Sequence, residues 1–113
     1  MDRFLIEGGR PLAGTAAVRP AKNALLPCMA ACLLTREAIS FSDSAGLVDI
    51  ASMLALLRRL GVKTEGRPGG PITLKASALA EPEAPYDLVR KMRASIVVLG
   101  PLLARCGRAR VFS

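Results

Sequence analysis

At 113 residues the chain has the size of one domain, and 51% of it is hydrophobic. That share and a mean hydropathy of +0.37 exclude a disordered segment. The longest uncharged runs, which contain residues 24–34 and 94–104, fall short of the ~18 residues that a membrane-spanning helix needs. The first residues also lack the layout of a signal peptide. We therefore expect a soluble, cytoplasmic protein.

In chain order, the hydrophobic pattern predicts alternating strands and helices. We expect strands at 3–7 and 14–18, a buried helix at 22–35, a strand at 38–42, an amphipathic helix at 47–60, a hairpin of 62–65 and 72–75, a short helical segment at 86–91, a second uncharged helix at 93–104 and a strand from 109. Gly61 should end the amphipathic helix. Pro27 should fall within about the first turn of its helix, and Gly100–Pro101 should kink the last one.

The net charge of +7 is unevenly distributed. Residues 1–87 carry ten basic and nine acidic side chains, whereas residues 88–113 carry six basic ones and no acid. A basic C-terminal end suggests an anionic partner. Nucleic acid is one candidate, but the four aromatic residues do not cluster and no DNA-binding motif is visible. For any single arginine, a solvated basic face is the ordinary alternative.

The three cysteines do not indicate a disulfide framework or a metal site. Cys28 and Cys32 lie four residues apart in the first uncharged run, which places them on one face of a helix. A metal would need two further ligands, and the chain has no histidine. We expect both thiols to be buried in the helix core.

The sequence Lys22-Asn23-Ala24-Leu25-Leu26-Pro27 places a cation and an amide at the start of an uncharged helix. The helix dipole favours anions at this end, so a lysine here makes sense if an anion binds beside it. The ordinary alternative is a solvated lysine at a helix end. Arg93-Ala94-Ser95 opens the other uncharged helix, about seventy residues later, in the same way. This weak repeat predicts a fold built from copies of one βαβ-type unit and a sequence that ends within its second copy.

Longer motifs carry a resemblance to a known family. They are Gly14 with Val18, residues 22–27, Leu60-Gly61-Val62-Lys63, residues 84–96 and residues 99–105. With these motifs the chain resembles the amino-terminal part of the enolpyruvyl transferases, specifically the UDP-N-acetylglucosamine 1-carboxyvinyltransferase family. The resemblance implies an α/β (α+β) fold, an inside-out α/β barrel of repeated βαβ-type units, of which only the first part is present here.

The resemblance also implies a reaction and the residues that serve it. The enolpyruvyl group passes from phosphoenolpyruvate to the 3-hydroxyl of UDP-N-acetylglucosamine by addition and elimination, at the start of peptidoglycan precursor synthesis. Lys22 and Asn23 would bind phosphoenolpyruvate and Arg93 the nucleotide sugar, with no cofactor. The reactive cysteine or aspartate loop and the general base would follow Ser113, so this chain would hold no catalytic residue, and Cys106 would not be one.

The expected domain division follows from the same resemblance. Residues 1–21 would belong to one globular domain and residues 22–113 to the other, with a first repeat at about 22–80 and the start of a second at 85–113. Lys22 would then lie near a hinge. The alternatives are a non-catalytic remnant that binds an anion or a partner and, with less support, a small basic nucleic-acid-binding domain. The expected partners are small anionic substrates and the rest of the same chain, and neither nucleic acid nor a membrane.

Overall fold

A computed structural model describes residues 2–46 and 48–112 of the chain. The helices are α1 (Lys22–Ala30), α2 (Val48–Arg59), α3 (Tyr86–Val89) and α4 (Leu99–Cys106), with 3-10 helices at Ala31–Leu34 and Arg93–Val98. The strands are β1 (Ala38–Phe41), β2 (Lys63–Gly66), β3 (Ile72–Lys75), β4 (Glu83–Ala84) and β5 (Arg110–Val111). The helices predicted at 22–35, 47–60 and 86–91, the hairpin and the strands after residue 37 are therefore confirmed within a few residues, although residues 31–34 are in the 3-10 form. Leu47 and Ser113, at the ends of two predicted elements, lie outside the described residues.

The larger sheet has the strand order β1-β3-β2, and β3 is antiparallel to both neighbours. The outer strands β1 and β2 therefore run parallel to each other, joined by α2 with β3 inserted between them. This is a split βαβ unit. Ile72 and Leu74 on β3 are buried and face the helices, while Thr73 points the other way and hydrogen-bonds Ser40 at 3.0 Å. Because successive side chains of a strand point to opposite faces, one face of this sheet packs against the core and the other does not.

Helix α2 supplies the largest part of the core and ends at a glycine, as predicted. Its buried residues are Ile50, Met53, Leu54, Leu56 and Leu57. The Val62 amide donates to the Leu57 carbonyl at 2.9 Å and the Gly61 amide to the Arg58 carbonyl at 3.0 Å. This is the pattern of a helix end with a left-handed residue, and Gly61 has a φ of 102°.

A second, smaller sheet is formed by β4 and β5, which pair in parallel. The chain crosses from one to the other through α3, the 3-10 helix 93–98 and α4. The predicted single helix at 93–104 is therefore divided in two. Pro101 is the third residue of α4, where its missing N–H costs no intrahelical hydrogen bond. The proline accordingly starts a new helix instead of kinking a continuous one.

The two strands predicted at 3–7 and 14–18 are absent. Residues 2–21 contain no helix or strand, and residues 2–19 are all exposed. Alternating residues form a strand only when a neighbouring strand accepts and donates their backbone hydrogen bonds. Both sheets of the described chain are built from residues 38–111, and the segments 3–7 and 14–18 pair with neither of them.

Helix α1 is buried on one side only, which corrects the prediction that it is buried all round. Leu25, Leu26, Met29 and Ala30 lie in the core, whereas Pro27 and Cys28 are exposed. Cys32, in the following 3-10 helix, is fully buried. The prediction of two buried thiols is therefore correct for Cys32 and wrong for Cys28. Pro27 is also one turn further into the helix than expected.

Candidate functional site

Lys22 is the first residue of α1 and lies at the positive end of the helix dipole. The Ala21 carbonyl accepts hydrogen bonds from the amides of Ala24 and Leu25, at 3.2 and 2.9 Å. The helix has no side-chain N-cap and no acidic residue in its first turn. A cation here is therefore unfavourable within its own helix, and a negative partner from elsewhere stabilises it.

Asp49 provides that partner. Its Oδ2 atom lies 3.0 Å from Nζ of Lys22, and the two side chains are 32% and 39% exposed. Asp49 belongs to the first turn of α2, where the helix dipole favours a carboxylate. A negative group therefore lies beside Lys22 within the chain itself, whereas the sequence predicted a bound anion.

Sequence reasoning missed Asp49 as a site residue. In sequence it is only an acid off the apolar stripe of α2, far from Lys22 along the chain. The available signal was an acidic residue in the first turn of the next long helix, since the start of a helix is where carboxylates are most favourable. The contact between α1 and α2 brings it to Lys22.

A groove of about 410 Å³ lies beside the start of α1. It runs between the exposed side of that helix and the end of β1, and is lined by Pro20, Ala21, Ala24, Leu25, Cys28, Ser40, Phe41, Ser42 and Asp43. At its mouth, Arg19 approaches Asp43 at 3.9 Å in an exposed ion pair. The groove is mainly apolar on the α1 side and polar on the strand side.

The other predicted site residues, Asn23 and Arg93, have exposed side chains. Arg93 is the first residue of the 3-10 helix 93–98, which packs against α1. The structure therefore brings together the two segments that begin with Lys22 and Arg93. Among the described residues, ion pairs join Lys22 to Asp49, Arg19 to Asp43 and Arg108 to Glu81, and none includes Arg93.

Most of the basic C-terminal residues have contacts within the chain. The Arg105 guanidinium donates hydrogen bonds to the carbonyls of Leu33, Thr35 and Ala76. Arg108 pairs with Glu81 at 3.3 Å. Arg90 and Arg110 lie over the rings of Tyr86 and Phe112 at 6.0 and 5.8 Å. These contacts account for four of the six basic side chains in residues 88–113, so the charge excess there does not by itself indicate an anionic partner.

The buried thiol of Cys32 is suited to packing and not to reaction. Burial raises its pKa from 9.0 to about 11, although the nearby Arg105 charge lowers it. The thiol therefore stays protonated at neutral pH, and the protonated form is a poor nucleophile and metal ligand. In the part of the chain that the structure describes, no group of three or more His, Cys, Asp or Glu could hold a metal ion.

Comparison with known proteins identifies the family. The model of the EPSP synthase (3-phosphoshikimate 1-carboxyvinyltransferase) family matches residues 6–113. The chain belongs to this enolpyruvyl transferase family. The predicted fold class is also confirmed, because the chain superposes on the crystal structure of the enolpyruvyl transferase NikO from Streptomyces tendae. The TM-score is 0.74 with 26% identity, over 90% of this chain and 24% of that one.

Curated relatives are similar over almost the whole chain. UDP-N-acetylglucosamine 1-carboxyvinyltransferase from Rhodospirillum centenum is 49% identical over 98% of this chain. The enzymes of the same name from Granulibacter bethesdensis and Paramagnetospirillum magneticum are 52% and 50% identical over the same share. The chain spans only 27–28% of the length of these relatives. Among the described residues of this family member, no helix has the length and apolar character needed to cross a membrane.

Proposed function

We propose that this chain takes part in the transfer of the enolpyruvyl group from phosphoenolpyruvate to the 3-hydroxyl of UDP-N-acetylglucosamine. The proposal rests on the similarity of the chain to relatives that are named UDP-N-acetylglucosamine 1-carboxyvinyltransferase. About half of the residues are identical to theirs, over 98% of the chain. In this reaction the hydroxyl oxygen bonds to C2 of phosphoenolpyruvate as C3 takes up a proton. The tetrahedral intermediate then loses phosphate and a proton from C3, leaving an enolpyruvyl ether. The product is a peptidoglycan precursor. We propose that the protein carries out this reaction in the cytoplasm.

In this proposal Lys22 and Asn23 bind phosphoenolpyruvate, and Arg93 binds the nucleotide sugar. A lysine at the positive end of a helix combines the ammonium with free backbone N–H groups, which together suit phosphate or carboxylate. Such fixed positive charge stabilises negative charge as it shifts during phosphate departure. The packing of the Arg93 segment on α1 supports binding of the two substrates at one site.

We further propose that residues 1–21 and 22–113 contribute to different globular domains of the transferase. The exposure of residues 2–19 supports this division, because none of those residues belongs to the hydrophobic core of the described chain. A boundary at Ala21 puts Lys22 beside the hinge, where closure of the two domains would bring it onto bound substrate. The first repeat would comprise about residues 22–80, and residues 85–113 would be the start of the second.

The test measures how much phosphate is released by the protein that the natural gene encodes. The wild type should release phosphate from phosphoenolpyruvate only when UDP-N-acetylglucosamine is present, and not with 3-phosphoshikimate as acceptor. Lys22→Ala should lower kcat/KM by a hundredfold to roughly a thousandfold, as when a preorganised charged donor is removed. Lys63→Ala, at an exposed lysine of β2, is the control and should keep wild-type turnover. Normal turnover in Lys22→Ala, or a preference for 3-phosphoshikimate, would refute the proposal.

A further inference from the structure

We propose that Asp49 is the positioning residue for Lys22, holding its ammonium group where phosphoenolpyruvate binds. This inference rests on the proposed function. It adds a residue that does not itself contact substrate but determines the position of one that does. The observation behind it is the 3.0 Å ion pair between the Asp49 carboxylate and the Lys22 ammonium.

The ion pair differs from the other ion pairs of the described chain in its burial. Lys22 and Asp49 are 39% and 32% exposed, against 67% and 45% for Arg19 and Asp43. Arg108 and Glu81 are 74% and 79% exposed. Exposed pairs are screened by water and contribute little, whereas a partly buried pair is screened less.

The start of α2, which carries Asp49, is connected to both α1 and the hairpin turn. Asp49 lies in the first turn of α2, and α2 packs directly on α1. The loop before α2 is anchored to the hairpin turn by Ser44, whose hydroxyl donates to the Gly70 carbonyl at 2.6 Å and accepts from the Gly69 amide at 3.2 Å. Ser44 thus ties the loop before α2 to the hairpin turn, and α2 contacts α1, so Asp49 is placed to restrain a flexible lysine.

The chemistry of the ammonium group leaves room for substrate. An ammonium has three donors, of which the contact with Asp49 needs one. The remaining donors can bind a phosphate or carboxylate oxygen at the partly exposed face of Lys22. Without Asp49 the lysine would keep its charge but lose the carboxylate that offsets the unfavourable helix dipole and that reduces its choice of rotamers. We therefore expect loss of Asp49 to weaken phosphoenolpyruvate binding selectively.

The experiment compares Asp49→Ala, Asp49→Asn and Asp49→Glu in the protein that the natural gene encodes. The KM for phosphoenolpyruvate should rise about tenfold or more in the alanine variant, as expected for loss of a charged hydrogen bond. Asp49→Asn retains an acceptor without the charge and should show a smaller rise. Asp49→Glu should recover most of the wild-type value, and the KM for UDP-N-acetylglucosamine should stay constant in all three. Glu81→Gln, which removes the charge from an exposed ion pair, is the matched control and should change neither constant.

Two results would overturn the inference while leaving the proposed function intact. One is an active Asp49→Ala protein with the wild-type KM for phosphoenolpyruvate. The other is an equal rise in both KM values together with a lower melting temperature, which would make Asp49 a residue of structural importance only. A wild type without any transferase activity would instead refute the proposed function, and this inference with it.

Discussion

Replacing Arg105 by alanine should destabilise the chain by about 3 kcal/mol. The half-buried guanidinium joins three segments by donating to the carbonyls of Leu33, Thr35 and Ala76, at 3.0, 3.0 and 2.7 Å. Hydrogen bonds from a charged donor contribute about 1.5–3 kcal/mol each, and we use the lower end because the side chain is partly solvated. A sum of about 4.5 kcal/mol is then reduced to ~3, because bonds from one group are not independent.

The assay is urea unfolding followed by far-UV circular dichroism, with the midpoint and slope fitted separately. Arg108→Ala is the matched control, because its guanidinium bonds only the exposed Glu81 and should cost less than about 1 kcal/mol. Arg105→Lys should fall between the two, since an ammonium cannot reproduce the planar fork that spans three carbonyls. Equal stability of the Arg105→Ala and Arg108→Ala proteins would refute the argument that Arg105 ties the 3-10 helix 31–34 to the sheet and α4.

Three further predictions concern the hairpin turn and the cysteines. Gly66→Ala should lower the free energy of unfolding by more than about 2 kcal/mol in the same assay. Gly66 has a φ of 89°, and a Cβ at this position would clash with the Pro71 carbonyl oxygen. In the control Gly70→Ala, where a Cβ makes only an ordinary 3.8 Å contact, the loss of unfolding free energy should be less than half as large. The free energy of unfolding should also fall as pH rises from 9 towards 11, since the folded chain keeps Cys32 protonated above the pKa of the unfolded thiol; a Cys32→Ala protein with the same slope over that range would contradict this. Iodoacetamide should modify the exposed Cys28 at pH 8, and Cys32 only after unfolding.

The elements that sequence analysis predicted correctly are those whose pattern is local. Helix α2 combines a stripe of apolar residues with a glycine stop, and both signals act within a few residues. The hairpin of β2 and β3 pairs adjacent segments. The strands predicted at 3–7 and 14–18 had a comparable alternation but lacked the other requirement, a neighbouring strand, which no local pattern reveals.

The error at Cys28 has a similarly specific cause. Two residues four apart differ by about 40° around an α-helix, so the pattern put both thiols on one face. Helix α1 ends at Ala30 and continues as a 3-10 helix, whose steps are about 120° instead of 100°. The angle between Cys28 and Cys32 thereby grows to roughly 80°. One cysteine then faces the core and the other the groove.

Sequence analysis predicted Lys22 as a residue of the candidate site but missed Asp49, and the helix dipole bears on both residues. A lysine at the positive end of a helix dipole is stabilised by a nearby negative group, and this argument needs no structure. It does not say whether that group is a ligand or a side chain, and Asp49 shows that here a side chain is present. The two readings are compatible, because a carboxylate that holds the ammonium leaves donors free for an anionic substrate. Where two helices meet at their starts, an acid in the first turn of one is therefore the first residue to consider as the partner of a lysine in the first turn of the other.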